Sequence, residues 1–316
     1  MSNPVTKAPG GVAKRRHSSL HLWVFLVPAT VIYTVFAVYP IGESLRLSLF
    51  AADGQAPAYW VGLANYHKLF FDPYWSEQFV NAFINNCQLF LIHMLVQNPI
   101  ALGLAACLSL PALRGAAIYR TLIFLPTLLS VVIVGFIWQL ILSPLWGVTP
   151  GFLNAIGLGS WFAPWLGLES TALNTLSLIS VWQYVGIPMM LFYAALISIS
   201  EETIEAARLD GLSGFWIFWK VKLPQILPTV GLVSILTYIG NFTASFDLIY
   251  SVQGGLAGPN FSTDVMGTLL FRTFFGFQAQ LGDEYFGATV ASSLFAIILV
   301  GVGAYLFFVQ RKLRRY

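Results

Sequence analysis

Apolar residues run through this chain in six long stretches, at about 21–41, 83–109, 119–142, 173–197, 228–250 and 287–309, separated by shorter polar or Gly/Pro-rich connections. A helix needs about 20 largely apolar residues to cross a bilayer, so each stretch is long enough to be one span. The pattern predicts an all-α polytopic membrane protein with six transmembrane helices. No connection is long enough to suggest a separate soluble domain. The connection at 143–172 is rich in Gly, Pro and Trp, which suits a folded outer loop with short interfacial turns. Aromatic residues crowd 60–75, as expected where a chain meets the headgroup layer.

Composition agrees with that reading and adds a direction. Hydrophobic residues make up 57% and charged residues 9% of the 316 residues, against about 25% charged in a typical soluble domain. Lys and Arg collect on the cytoplasmic side of membrane proteins. Thirteen of the sixteen fall in the N-terminal tail, the second and fourth connections and the C-terminal tail; Arg46, Lys68 and Arg272 are the exceptions. Both termini are therefore expected in the cytoplasm. The divisions expected are a tail at 1–20, a six-span domain at 21–309 with a cytoplasmic loop at 198–224, and a tail at 310–316. The first apolar run lacks a small-residue cleavage site and reads as a retained anchor. Arg15-Arg16 reads as a positive-inside anchor. Cys87 and Cys107, in one predicted helix, would lie about 30 Å apart at 1.5 Å per residue, too far for a disulfide. No basic patch with interleaved aromatics points to nucleic acid.

A polar island interrupts the apolar pattern at Glu205-Ala206-Ala207-Arg208-Leu209-Asp210-Gly211, followed by Val221-Lys222-Leu223-Pro224. Ser198 and Glu201 have capping-box spacing, Glu201 and Glu202 complement a helix N-terminus, and Gly211 suits a left-handed stop. A short helix with a low-profile face at Ala206 and Ala207 is expected here. A second short helix is expected over 214–220, with its aromatic rings in the headgroup region and Pro224 and Pro228 breaking it before the fifth span. Pro126, inside the third stretch, is tolerable because neighbouring helices can satisfy the freed carbonyl.

The island resembles the EAA loop of ABC importer permeases, in which Glu-Ala-Ala is followed after three residues by Gly and after nine more by Ile or Val, one residue and Leu-Pro. Trp60-Val61-Gly62-Leu63-Ala64-Asn65-Tyr66 with Asp72-Pro73 is similar to a segment of sugar-importer permeases. Phe246-Asp247-Leu248-Ile249-Tyr250 through Gly254-Gly255 resembles another, with Gln253, Leu256 and Ala257 where Thr, Gly and Pro are usual. The resemblance covers about 20–316. It implies the type I ABC importer permease fold in a bacterial inner membrane, with Glu205, Ala206, Ala207, Arg208, Asp210 and Gly211 coupling to an ATPase. It also implies an ATPase dimer, a second homologous permease forming a heterodimer, and a periplasmic solute-binding protein that delivers a sugar. Contacts to solute in maltose-type permeases come from segments matching Gly186 to Met189 and the run before Phe246.

No G-x-x-x-x-G-K-[ST] phosphate loop is present, so this chain is expected not to be an enzyme and to hold no cofactor, ATP and Mg being bound by the partner. His17, His21, His67 and His93 form no Ser-His-acid or metal set by spacing. A polar group facing lipid costs free energy, so the transport path is sought among polar and aromatic residues within spans. Those are Trp182, Gln183, Tyr184, Gly186 and Met189 in the fourth stretch, and Thr237, Tyr238, Asn241, Phe242, Thr243, Ser245 and Asp247 in the fifth. Neutral hydrogen-bonding groups beside aromatic faces suit a sugar. Gln88, Gln97, Asn98 and Gln139 equally suit bonds between helices. Importers of glycerol-phosphate or amino acids share the architecture. A membrane-embedded enzyme using Glu205 and Asp210, or a proton-driven carrier, would each need acids that converge or lie deep in a span.

Overall fold

Among the described residues, three helices are long and apolar enough to cross a membrane alone: Trp23–Leu47, Pro73–Leu108 and Glu284–Phe308. The computed structural model describes residues 20–54, 56–278 and 280–310. Three further helix pairs pass the same test together and meet at sharp angles: Ala116–Leu128 with Val131–Ile141 at 96°, Glu169–Tyr184 with Gly186–Ile197 at 44°, and Gly214–Gln225 with Leu227–Thr243 at 67°. Taking each pair as one span gives six. Strand structure among the described residues is confined to two small hairpins, Phe50–Ala51 with Tyr59–Trp60 and Gly276–Phe277 with Gln280–Leu281. The chain divides after Ser44: the unit up to Ser44 holds the first helix except its last residues, and the unit from Leu45 onward holds the rest. His17 and Arg15-Arg16 lie outside the described residues, and His21 falls in the helix Leu20–Tyr33.

Several boundaries differ from the apolar pattern, each for a local reason. The second span begins at Pro73 rather than 83, because Pro73 suits a first helical position and the Asp72 carboxylate accepts from Tyr74 N (3.0 Å) and Trp75 N (3.2 Å). The third span is not one helix: Pro126 sits in a tight turn at Leu125–Leu128, Leu129 and Ser130 are extended, and a new helix starts at Val131. The fifth stretch stops at Thr243 and resumes as Ser245–Gln253. The helix expected over 214–220 runs on to Gln225 and breaks at Ile226, after Pro224 rather than at it.

Prolines explain how the helices continue past some of these points. Wide π-turns occupy Thr34–Val38, His93–Gln97 and Phe218–Lys222, and each ends two residues before a proline, at Tyr39-Pro40, Asn98-Pro99 and Leu223-Pro224. In all three, the residue before the proline donates its N–H five residues back, to Thr34 O, His93 O and Phe218 O. A proline ring clashes with the carbonyl four residues earlier, and widening the turn moves that carbonyl aside.

Three buried clusters hold the second unit together. Ala101, Ala105 and Leu108 of the second span pack on Met189, Phe192 and Leu196 of the fourth, where small residues let the two helices approach closely. Val134, Leu176, Leu248 and Ile249 form a second cluster, and Leu69, Phe79, Met266, Leu269 and Phe286 a third. The third and fourth spans touch backbone to backbone at Gly186, where an added Cβ would come within 2.9 Å of Phe124 Cα and 3.0 Å of Ile123 O. Backbone cannot swing aside as a side chain can. Gly186→Val is therefore expected to destabilise the detergent-solubilised protein by about 1–3 kcal/mol, as overpacking does. An unchanged melting temperature would show that the crossing is looser than this.

The segment between the fifth and last spans is clipped to the second span by three asparagines. Asn81 Nδ2 donates to Phe261 O (2.9 Å), Asn85 Nδ2 to Asp264 O (2.8 Å), and Asn86 Oδ1 accepts from Met266 N (2.8 Å). Beneath them Arg272, an exception to the positive-inside count, forms a buried two-pronged pair with Asp264 at 2.8 and 2.7 Å. Thr268 also donates to Asp264, at 2.5 Å, and the guanidinium lies over the Phe261 ring at 4.7 Å.

Candidate functional site

The loop after the fourth span folds into the short helix Glu201–Leu209. Its N-cap is Ser200, not Ser198: Ser198 closes the preceding helix and donates its hydroxyl to Ala195 O (2.7 Å), while Ser200 is extended and its hydroxyl meets that of Thr203 at 2.8 Å. The capping-box spacing failed because the chain needs 198–200 to leave one helix before entering the next. Glu201 and Glu202 occupy the first turn and Arg208 the last, which complements the helix dipole. At the other end Leu212 N donates to Ala207 O (3.1 Å) and Gly211 N to Arg208 O (3.0 Å), the paired bonds of a Schellman stop. Gly211 has φ +80°, in the left-handed region, and open space around it. Glu205, Ala206, Arg208 and Asp210 are exposed and Leu209 is 89% exposed; Ala207 is turned inward and buried, so it does not share the open face with Ala206.

A cavity of about 270 Å³ lies where the second, fourth and fifth spans are each irregular. The second span lines it at Leu89, His93 and Gln97, around its π-turn; the fourth at Ser180, Tyr184, Ile187 and Pro188, around its 44° bend; the fifth at Thr237, Asn241 and Ser245, up to its break. Interrupted helices are a recurrent way to bring polar groups to a solute path in the membrane interior. None of the lining residues is Asp, Glu, Lys or Arg.

Of the path candidates, Tyr184, Asn241 and Ser245 line this cavity. Gln183 is fully buried elsewhere, its Nε2 donating to Leu129 O (3.2 Å). Gly186 is the backbone crossing with Phe124, and Met189 is fully buried against the second span. Trp182 stands edge-on to Trp138 at 5.5 Å. Phe242 is buried against Tyr238 and Phe83, and exposed Thr243 donates to Ile239 O (2.9 Å). Thr237, another candidate, also lines it, whereas His93, Gln97 and Ser180 line the cavity but were absent from the candidates. Their signal was spacing: 89, 93 and 97, like 237, 241 and 245, repeat every four residues on one helical face. Gln88, Asn98 and Gln139 do bond neighbouring helices, through Asn174 Oδ1 (2.8 Å), Thr237 Oγ1 (3.1 Å) and Val252 O (2.6 Å).

Bent apolar helices around an uncharged cavity, with a polar helix at one end, define the membrane subunit of a transport system. Residues 99–315 match the binding-protein-dependent transport system inner membrane component family, and the chain belongs to it. It is 33% identical to the probable ABC transporter permease protein YurN of Bacillus subtilis (strain 168), over 86% of this chain and 93% of that one. Identity to the lactose transport system permease protein LacF of Rhizobium radiobacter is 30%, over 95% and 97%. The fold matches a chain in a crystal structure of a bacterial ABC transporter involved in import of the acidic polysaccharide alginate, with TM-score 0.75, 24% identity and coverage of 94% and 96%. The type I importer permease fold is thereby established.

Proposed function

We propose that this chain forms half of the pathway by which an ATP-driven importer carries a sugar or oligosaccharide delivered by a binding protein. The observation that carries the reading is the uncharged cavity of about 270 Å³ at the meeting of three interrupted helices. Relatives named for lactose, multiple sugars, diacetylchitobiose and α-glucosides support a carbohydrate. The exposed face of Glu201–Leu209 would dock in a cleft of a separate ATPase, which binds the ATP and Mg, and pass its closure to the spans. A second permease of the same fold completes the pathway as a heterodimer. The chain sits in a bacterial inner membrane with both termini on the cytoplasmic side, a reading supported by the distribution of Lys and Arg.

The test is uptake into proteoliposomes holding the whole importer, with binding protein outside and ATP inside. Lactose, maltose, N,N′-diacetylchitobiose and glycerol 3-phosphate are compared. Uptake of one sugar that needs both ATP and binding protein is expected. Accumulation driven by a proton gradient without ATP would sink the reading, and preference for glycerol 3-phosphate would replace the sugar.

A further inference from the structure

Between Asp210 and Asp247 the chain carries no acid and two cations, Lys220 and Lys222. Both lie on the helical segment Gly214–Gln225, which meets Leu227–Thr243 at 67°. Membrane spans tilt about 20° from the bilayer normal, so a segment at that angle to one lies nearer the bilayer plane than along the crossing. Its two faces differ. Ile217 is buried, and Phe218 and Leu223 pack against the cluster that joins the second and fourth spans. On the other face Phe215, Trp216 and Trp219 are exposed yet stand together, with ring centroids 5.5 Å apart for Phe215 and Trp216 and 6.2 Å for Phe215 and Trp219. Lys220, also exposed, holds its ammonium 5.0 Å above the Trp216 ring. No carboxylate comes within ion-pair reach of Lys220 or Lys222 among the described residues.

We propose that Phe215, Trp216, Trp219 and Lys220 form a docking face for anionic phospholipid, on the segment that joins Glu201–Leu209 to the fifth span. Charge and depth together select that occupant. Aromatic rings beside a lysine suit the boundary between headgroups and acyl chains, and the Lys220 ammonium has no protein anion to neutralise it. A lipid phosphodiester at Lys220 supplies that charge, while the acyl chains beneath it cover the rings. A zwitterionic lipid brings its own cation to the same place and so gains less from Lys220. An acidic cleft of the ATPase is the competing occupant. The inference is independent of which solute is carried.

The experiment uses the complete importer, ATPase included, in phosphatidylcholine vesicles containing increasing fractions of brominated phosphatidylglycerol or brominated phosphatidylcholine. Bromine quenches Trp fluorescence on contact, and the quenching that disappears when Trp216 and Trp219 are both replaced by Phe belongs to this face. Fitted as competition with the host lipid, phosphatidylglycerol is expected to bind there about fivefold more tightly than phosphatidylcholine, the worth of one cation at an anionic surface. Lys220→Arg should keep that preference and Lys220→Gln should abolish it, while quenching by brominated phosphatidylcholine stays the same in both. Lys220 is exposed, so neither substitution disturbs a packed core. Inorganic phosphate, added at constant ionic strength, should leave the preference intact. Equal affinity for the two lipids in the unsubstituted importer, or a preference that survives Lys220→Gln, would overturn the proposal. A preference abolished by inorganic phosphate would overturn the lipid as the source of the anion. Quenching that appears only after the ATPase is stripped away would overturn it in favour of a protein occupant.

Discussion

Gly211→Val is expected to leave the protein inserted and assembled but to cut ATP-dependent sugar uptake severely, as read by uptake against complex recovered on purification. Gly211 sits at φ +80° with nothing within 4 Å of an added Cβ, so the substitution meets no steric obstacle except its own backbone. An L side chain in the left-handed region costs about 1–2 kcal/mol, and a β-branched one is the worst case. That penalty lowers the population of the correctly closed turn by roughly 5- to 30-fold. The turn ends the helix that presents Glu205 and Arg208, so its loss redirects the face proposed to meet the ATPase rather than unfolding the spans. Asn tolerates the left-handed region, and Gly211→Asn should therefore retain most uptake. Normal transport by the Val variant would remove Glu201–Leu209 from the coupling role.

Arg272→Met should have the largest effect on stability. Asp264 is fully buried and Arg272 nearly so, and their two-pronged bond stands beneath the clipped segment between the fifth and last spans. Removing one member of a buried pair strands the other charge, at a cost of about 3–5 kcal/mol. A thermal melt in detergent should shift down accordingly, and limited proteolysis should open the chain between 254 and 266. The double variant Arg272→Met with Asp264→Asn should recover much of the loss, since neutral partners leave no buried charge. A double variant no more stable than Arg272→Met alone would show that packing, not charge, holds the segment.

How much was legible in the sequence depended on whether one residue carried the signal alone. The six spans follow from hydropathy, which sums over about 20 residues, and the stop at Gly211 from one conformational demand. Ser198 had the right spacing for a cap and the wrong neighbours: the preceding helix had already claimed its hydroxyl. Within the spans, polar character identified Tyr184, Asn241 and Ser245, which line the cavity, and equally Gln183 and Thr243, which bond backbone elsewhere. Local sequence cannot separate these, because facing depends on helix phase and the bends reset that phase. Arg272 was legible only as an exception to the charge count. Its partner lies eight residues earlier, just before the start of the helix that carries Arg272, and the asparagines that lock the segment lie about 180 residues earlier.

The π-turn at His93–Gln97 has a consequence for how length can vary in this span. A wide turn accommodates one residue more than an α-helix would at that point, and one residue is about 100° of rotation. Deleting a single residue there would let the backbone close into regular α-helix without breaking the span. The five residues of the wide turn cover about the rotation of four residues of α-helix, so everything downstream would keep its phase and Ala101 and Ala105 would stay against Met189 and Phe192. Pro99 would then meet the carbonyl four residues earlier, so single-residue gaps should be absent at 93–97 among relatives that keep Pro99 and should occur there among those that lack it, and insertions should be tolerated beyond Leu108, where the chain has already left the helix.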